Sequence, residues 1–216
     1  MLSSPVPLLT VSGLLVSLLV NNVRRGKTFY RASVFLPMML SVSVMASIWV
    51  IFLQPYTGIL SVVLKDIGIN HEIFWLSDGK LAWVSLFIST LWWTLGFNLV
   101  LYLAALQDIP AVYYEAAQIE GATRWQSLRF ITLPSLSRIT ALVVVLQTIS
   151  SFKIFGQSQL ITGGGPAGAT KTIVFSIYEH GFHSFEMGYA SAISMVLMLI
   201  IFIVSILQYV FLQRNV

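Results

Sequence analysis

The chain has 216 residues, of which 57% are hydrophobic and only 9% are charged. Soluble domains carry about 25% charged residues, so this composition excludes an ordinary soluble protein and predicts a chain embedded in a lipid bilayer. The net charge of +4 comes from basic residues in short connections between apolar segments, which indicates membrane topology rather than nucleic-acid binding. The absence of cysteine excludes disulfides, thiolate metal sites and cysteine nucleophiles.

Five apolar segments are long enough to cross the hydrocarbon core, which takes about 20 residues of helix. Each must be helical, because a helix satisfies its own backbone hydrogen bonds inside lipid. The sequence therefore predicts an all-α, polytopic helical membrane protein that forms one transmembrane domain over residues 1–216. The predicted spans cover about residues 2–20, 33–53, 82–105, 137–157 and 187–211.

The basic residues of the connections predict the orientation of the spans. Eight of them fall on one side of the predicted membrane, namely Arg24, Arg25, Lys27, Arg31, Arg124, Arg129, Arg138 and Arg214, and three fall on the other side, namely Lys65, Lys80 and Lys171. Cytoplasmic connections are enriched in Lys and Arg, so we expect the N-terminus of this chain outside and its C-terminus in the cytoplasm. The basic cluster after the first span is also compatible with contact to anionic membrane lipid.

The connection between the third and fourth spans contains clear helix boundary signals. Asp108 is a candidate cap for a helix that has Pro110 in its first turn. Gly121 can adopt the left-handed conformation that ends a helix. Thr123 and Gln126 then have the spacing of a capping box. We expect two short helices joined at Gly121 on the cytoplasmic surface.

The residues of this connection, 108–134, are typical of a surface that contacts another molecule. Ala116 and Ala117 allow close approach, and Glu115 and Glu120 add charge beside them. Aromatic residues, which are favoured at protein interfaces, lie nearby: Tyr113, Tyr114, Trp125 and Phe130. Two interpretations fit these residues: a docking helix, or an amphipathic helix that rests on the membrane surface.

The spacing of Glu115-Ala116-Ala117, Gly121 and Ile131-Thr132-Leu133-Pro134 resembles the EAA loop of binding-protein-dependent ABC permeases. Further features are similar to the maltose-type, carbohydrate-uptake branch of that family: Phe35-Leu36-Pro37, Trp92-Trp93, Thr162-Gly163-Gly164-Gly165-Pro166 and Gly188-Tyr189-Ala190-Ser191-Ala192. The resemblance favours the docking interpretation. Family members usually carry an additional N-terminal span, so we expect this chain to be shortened by one span.

The resemblance implies a permease subunit in a prokaryotic cell (inner) membrane that forms half of the pathway for a sugar or sugar derivative. It implies three partners: a homologous second permease, an ATPase dimer and an extracytoplasmic solute-binding protein. The implied ATPase-docking residues are Tyr114, Glu115, Ala116, Ala117, Gly121, Ala122, Ile131, Leu133 and Pro134. ATP and Mg²⁺ belong to the ATPase, because this sequence has no Gly-x-x-x-x-Gly-Lys-Ser/Thr loop. We expect no catalysis, no bound cofactor and no nucleic acid.

Polar residues inside the spans are candidates for the substrate pathway. Asn98, Gln147, Ser150 and Ser151 could line a pore that matches sugar hydroxyls, or could form hydrogen bonds between helices. Lys153 is the one charged residue within the apolar stretch 139–157 of the fourth predicted span. It either belongs to the pathway or extends its ammonium group to the outer interface.

Two outer features have a functional and a simpler interpretation. Gly163, Gly164, Gly165 and Pro166 form a turn, which the resemblance makes a candidate contact for the solute-binding protein. His180 and His183 near Glu179 superficially suggest a metal site, but without a third ligand at suitable spacing we interpret them as surface histidines.

Two other function classes remain open at this point. A secondary transporter would need intramembrane carboxylates or paired charges for ion coupling, and the predicted spans contain no Asp or Glu. A non-transporting membrane scaffold would use the docking helix only to recruit a partner.

Overall fold

The computed structural model describes residues 5–23, 25–69 and 71–214. Arg24, predicted as a topology determinant, lies outside the described residues. Within the described ranges the chain is helical and contains no β-strand, which confirms the all-α prediction. The α-helices are α1 (Pro5–Asn22), α2 (Lys27–Phe35), α3 (Val42–Phe52), α4 (Ile59–Asp66), α5 (Gly79–Gln107), α6 (Ala111–Ile119), α7 (Arg124–Ser127), α8 (Leu133–Ser135), α9 (Ser137–Phe152), α10 (Ile173–Tyr178) and α11 (Met187–Arg214).

The lengths of the apolar helices bear on the number of membrane crossings. In the part of the chain that the structure describes, α5 and α11 are each long and apolar enough to cross a membrane alone. Two bent pairs, Lys27–Met39 with Val42–Phe52 and Arg124–Ser135 with Ser137–Phe152, raise the number to four if each pair is one crossing. Helix α1 is apolar but shorter, so five crossings and a single domain over residues 1–216 stay predictions.

The prediction of one continuous helix over residues 33–53 is wrong. A short 3-10 helix (Leu36–Met39) follows α2, and the chain then bends by 99° before α3 begins. Pro37 lacks the N–H that a continuous helix needs. The hydroxyl of Ser41 accepts a hydrogen bond from the Val44 amide at 3.3 Å and starts a new helix there.

The predicted fourth span also ends earlier than residue 157. Helix α9 stops at Phe152, and Lys153 follows it in a turn. The hydroxyl of Thr172 donates to the carbonyl of Ile154 at 2.6 Å, so this carbonyl accepts from a side chain instead of from the next helical turn. A separate π-helix (Ser158–Thr162) comes after this break.

The residues group into two compact units. The first contains Met1–Leu36, Thr94–Ile149 and Ile203–Val216. Its buried core consists of Val20, Leu99, Tyr102, Leu103, Leu106, Leu136 and Val143. Helix α2 approaches α5 closely at Gly96, because a Cβ there would lie 2.8 Å from the Phe35 Cα and the Val34 carbonyl oxygen.

The second unit contains Pro37–Trp93 and Ser150–Phe202. Its buried residues Met45, Ala46, Leu86 and Ile161 pack with four tryptophans, Trp49, Trp83, Trp92 and Trp93. Two indole N–H groups donate to backbone carbonyls, Trp93 to Leu40 at 3.1 Å and Trp83 to Ala169 at 2.9 Å. All four tryptophans therefore pack against the core, and Trp83 and Trp93 also satisfy backbone carbonyls between helices.

The close approach of α2 to α5 leaves no room for a side chain at position 96. We expect Gly96→Val to lower the free energy of unfolding by about 1–3 kcal/mol, because the new Cβ meets backbone atoms that cannot turn away. Gly188→Ala is the control, since a Cβ at Gly188 has nothing within 4 Å. Thermal unfolding of the purified membrane protein measures both, and equal midpoints for the two variants would contradict the packing described.

Candidate functional site

The first part of the candidate docking segment is α6, and its C-terminal end has the predicted geometry. Gly121 follows the helix with a φ of +77°, in the left-handed region that favours glycine. The amide of Ala122 donates to the carbonyl of Ala117 at 2.8 Å, and the Gly121 amide donates to the carbonyl of Gln118 at 3.1 Å. This pair of bonds is a Schellman motif, which confirms Gly121 as the residue that ends the helix.

The start of α6 differs from the prediction. Asp108 does not cap this helix: Pro110 is the N-cap residue, and no side chain caps the first turn. Asp108 lies two residues before the cap, and its own amide still donates to the Ala104 carbonyl of α5 at 3.2 Å. A residue before proline is pushed towards extended backbone, so Ile109 and Pro110 separate the two helices. The helical residues therefore begin at Ala111, one position after the proline.

The second short helix begins with the predicted capping box. The Thr123 hydroxyl accepts from the Gln126 amide at 3.3 Å, and the Gln126 side-chain oxygen accepts from the Thr123 amide at 2.7 Å. This confirms the prediction. After α7 the chain widens into a π-helix (Leu128–Thr132) just before Pro134.

One hydrogen bond connects α6 to this π-helix. The hydroxyls of Tyr114 and Thr132 lie 2.9 Å apart, and Thr132 is buried. The Leu136 amide in turn donates to the Thr132 carbonyl at 3.0 Å, immediately before α9. Thr132 was not predicted from the sequence, because the EAA-loop pattern specifies no residue type at the position between Ile131 and Leu133. Tyr114, predicted as a docking residue, thus holds α6 in place.

Three large apolar side chains of this segment are left exposed by their own chain, beside exposed charged residues. Ile119 is 88% exposed, and Trp125 and Phe130 are 68% and 70% exposed. Ile119 was not singled out from the sequence, although a large apolar residue two positions before a helix-ending glycine is a usable signal. Among the predicted docking residues, Glu115, Ala116, Gly121, Leu133 and Pro134 are exposed, whereas Tyr114, Ala117, Ala122 and Ile131 are half-buried.

Two of the polar candidates for the substrate pathway are buried together in the first unit. The side-chain amide of Asn98 donates to the carbonyl of Leu9 at 3.0 Å, and Gln147 donates to the Asn98 side-chain oxygen at 2.7 Å. Asn98 has no exposed surface. A Cβ at Gly13 would lie 2.5 Å from the Asn98 Cβ, so α1 and α5 are in close contact here. These contacts are of the interhelical type, and a pathway role for the two residues stays a prediction.

The other three pathway candidates lie around the end of α9. Ser150 is exposed and Ser151 is buried. Lys153 is exposed and lies in the turn after Phe152, outside the helix. Both interpretations of these residues stay open as predictions.

The glycine-rich turn is a rigid loop rather than a loose one. The Thr170 hydroxyl donates to the carbonyl of Gly165 at 2.8 Å, and the Ser158 hydroxyl donates to the carbonyl of Thr170 at 2.5 Å. Gly164 is buried, with a φ of +76°, whereas Ala167 and Gly168 at the tip are exposed. Of the predicted contact residues Gly163 is exposed, whereas Gly165 and Pro166 are half-buried, and their contact with a binding protein stays a prediction.

The histidines belong to a segment that contains an ion pair and a histidine–carboxylate hydrogen bond. The ammonium group of Lys171 lies 2.7 Å from both carboxylate oxygens of Glu179, and His180 Nδ1 lies 2.8 Å from Glu186. The hydrogen bond from Lys171 lowers the pKa of Glu179 below its ordinary value. No group of three or more metal-binding side chains occurs among the residues that the structure describes.

Comparison with known proteins identifies the family. The model of a family described as "Binding-protein-dependent transport system inner membrane component" matches residues 10–216. The chain belongs to this family. It is similar to the probable ABC transporter permease YurN of Bacillus subtilis, with 32% identity over 89% of this chain and 66% of YurN. It is also similar to the sn-glycerol-3-phosphate permease UgpA of Agrobacterium fabrum, with 33% identity over 94% of this chain and 69% of UgpA.

A further relative and a solved structure are also similar to this chain. The arabinooligosaccharides permease AraP of Halalkalibacterium halodurans is 33% identical over 96% of this chain and 66% of AraP. The chain thus spans about two thirds of the length of these relatives. Its fold matches a crystal structure of a bacterial ABC transporter involved in alginate import, with a TM-score of 0.86 and 24% identity over 98% of this chain and 77% of that chain.

The hydrogen bond between Tyr114 and Thr132 can be tested with a double-mutant cycle. We expect Tyr114→Phe and Thr132→Val each to destabilise the permease, and their coupling to be about 0.5–1.5 kcal/mol. Chemical unfolding of the two single variants and the double variant measures the coupling. Thr140→Val serves as a control, since Thr140 bonds to Tyr102 instead. Strict additivity of Tyr114→Phe and Thr132→Val would show that the hydroxyls do not interact.

The pair Lys171–Glu179 predicts a pH dependence. Because the pKa of Glu179 is lower in the folded protein, the pair contributes its full stabilisation above the ordinary value of 4.5 and loses it as the pH falls through the lowered value. We expect the unfolding midpoints of the wild type and Glu179→Gln to differ at neutral pH and to converge in acid. A constant difference between them at all pH values would contradict this assignment.

Proposed function

We propose that this permease forms half of the translocation pathway of an ABC importer for a sugar or sugar derivative and is driven by a separate ATPase that binds α6. The observation that carries the proposal is the exposure of Ile119, Trp125 and Phe130 on a segment held by the hydrogen bond between Tyr114 and Thr132. Relatives named for transport of sn-glycerol-3-phosphate and of arabinooligosaccharides support the class of solute. The family supports the mode of transport.

The geometry of α6 suits a helix that enters a groove on a partner. Ala116 is small and exposed, so a partner backbone can approach closely, and Ile119 extends beyond it as an apolar anchor. Burying a side chain of this size stabilises a complex by about 1.5–3 kcal/mol. The exposed carboxylate of Glu115 adds a charge that can select a basic partner surface.

Movement of α6 can reach the membrane through the described hydrogen bonds. Tyr114 transmits a displacement to Thr132, and the Thr132 carbonyl holds the amide of Leu136 just before α9 begins. Closure of an ATPase dimer would thus move α9, which carries Gln147 and Ser150. Hydrogen bonds are short-ranged and directional, so this route requires that the hydroxyl contact persists during the cycle.

The remaining partners and the orientation follow the same proposal. The excess of basic residues supports a cytoplasmic position of α6 and the C-terminus, with the N-terminus of this chain outside. The exposed tip at Ala167 and Gly168 then faces an extracytoplasmic solute-binding protein. Large apolar side chains of α11 are exposed, among them Phe202, Ile203 and Leu207, so this helix offers apolar surface to lipid and to a second permease. ATP and Mg²⁺ would reside on the ATPase, and this chain would bind no cofactor and catalyse no reaction.

The two alternatives are less consistent with the structure. A secondary transporter needs ionisable coupling groups within its spans. Helices α5, α9 and α11 contain no Asp or Glu. A scaffold needs only recruitment, whereas the connection from α6 to α9 is a means of transmitting movement. Both alternatives fail if binding-protein-dependent, ATP-driven uptake is observed.

Two matched glycines test the docking proposal. Gly121 ends α6 and Gly68 ends α4, each in a Schellman motif, with φ values of +77° and +92° and nothing within 4 Å of an added Cβ. Valine at either position strains the backbone by roughly 1–2 kcal/mol or more. We expect Gly121→Val to abolish ATP-driven uptake, or to release the ATPase, while Gly68→Val retains uptake.

The measurements are solute uptake into vesicles and ATPase co-purification, with both variants checked for equal amounts in the membrane. Glu115→Lys should behave like Gly121→Val, and Asp66→Lys should behave like the wild type. The docking proposal is refuted if Gly121→Val and Glu115→Lys transport normally.

A further inference from the structure

A groove in the first unit lies beside the docking segment without belonging to its exposed apolar face. It has a volume of about 510 Å³ and lies between the end of α5 and the start of α9. Sites for small molecules generally have volumes of about 300–1,000 Å³. Its walls include Ala105, Asp108, Ser135, Arg138, Ile139 and Leu142. The groove is thus large enough for a molecular headgroup and carries one charge of each sign.

The two charged residues of this groove are exposed, and neither takes part in an ion pair between residues that the structure describes. Asp108 follows the negative C-terminal end of α5, and Arg138 lies in the first turn at the positive end of α9, so each charge is unfavourable for that helix. Asp108 also lies two residues before the N-cap of α6, where a negative charge is favourable. Helix stability therefore gives a reason for Asp108 only through α6 and gives none for Arg138.

The charged and the apolar residues of the groove follow one another in the same order as the headgroup and the acyl chains of a lipid. The charges stand at the helix ends, whereas Ala105 and Leu142 lie about one turn inside α5 and α9. Leu142 is 47% exposed, so an apolar chain can lie against it. Ser135 donates its hydroxyl hydrogen to the carbonyl of Ile131 at 2.7 Å, which leaves its oxygen free to accept a hydrogen bond.

We propose that this groove binds the headgroup of a zwitterionic phospholipid with a primary ammonium group, such as phosphatidylethanolamine. The phosphate lies at Arg138, which can donate two parallel hydrogen bonds to it. The ammonium group lies at Asp108 and Ser135, and the acyl chains follow Ile139 and Leu142. Each helix end then faces a headgroup charge of the favourable sign. This site does not depend on which solute is carried.

A lipid with only negative charge fits the groove less well. Its phosphate would gain Arg138 but would face the carboxylate of Asp108, and like charges at this range repel. Phosphatidylcholine has the correct charges, but its quaternary ammonium group has no N–H to donate to Asp108 or Ser135. A protein partner in the groove would compete with every phospholipid and would remove any dependence on the headgroup.

The first experiment needs no substitution. The assembled wild-type importer is placed in nanodiscs of phosphatidylcholine, and phosphatidylethanolamine, its mono- and dimethylated derivatives or phosphatidylglycerol is added as the competing lipid. We expect native mass spectrometry to show roughly tenfold preferential retention of phosphatidylethanolamine over phosphatidylcholine, falling with each methyl group. Equal retention of phosphatidylglycerol, or no retained lipid, overturns the proposal.

Variants then assign the contacts. Asp108→Asn should remove the preference for phosphatidylethanolamine over phosphatidylglycerol, and Arg138→Gln should reduce the retention of both lipids. Asp66→Asn and Lys80→Gln, which change exposed charges outside the groove, should leave retention unchanged. Unchanged retention in both groove variants overturns the assignment. Lipid retention is measured without uptake, so a failure here is distinguishable from a failure of the proposed transport function.

Discussion

In a bilayer, each backbone N–H and C=O group must find its partner within the protein, and this constraint explains most of the chain's irregular geometry. Where the second apolar segment breaks, the indole of Trp93 donates to the carbonyl of Leu40. Where α9 stops, the hydroxyl of Thr172 donates to the carbonyl of Ile154. Each break therefore has a side chain that replaces the lost helical bond, and the spans can bend without an unsatisfied carbonyl at these positions.

The docking segment obeys the same constraint by more local means. A Schellman motif ends α6 and a capping box starts α7, so the backbone groups at the junction are satisfied by neighbours in sequence. One contact between distant residues, Tyr114 with Thr132, then fixes α6 relative to the chain that leads into α9. The large apolar side chains are not needed for these contacts, and they remain available to a partner. A rigid frame with an unpaired apolar face is what a transmitting helix requires.

The features that the sequence predicted correctly are those determined within a few residues. The hydrogen bonds at Gly121, Thr123 and Gln126 join residues three to five positions apart, so their spacing is sufficient information. The hydrogen bonds of Thr132 and Trp93 join residues 18 and 53 positions from their partners, and no local pattern encodes them. Hydropathy likewise could not show the bend in the second apolar segment, because an apolar run has the same average whether it is straight or broken.

The polar residues of the spans show the same limit. Asn98 and Gln147 were identified correctly as unusual, but their roles depend on contacts across three helices. The resemblance to a family supplied what local physics left open, because both interpretations of the docking segment satisfied the same backbone requirements. The groove at Asp108 and Arg138 arises from two helix ends that are 30 positions apart, so only the structure places these charges together.

The orientation and the partner of α6 are the centre of this account, and site-specific cross-linking tests both. The chain has no cysteine, so Ala116→Cys and Ala167→Cys each introduce a single reactive thiol. In the assembled importer, with single thiols on the ATPase and on the solute-binding protein, we predict that Ala116→Cys cross-links to the ATPase and Ala167→Cys to the binding protein. Cross-linking of Ala116→Cys to the binding protein, or to neither partner, would contradict the account.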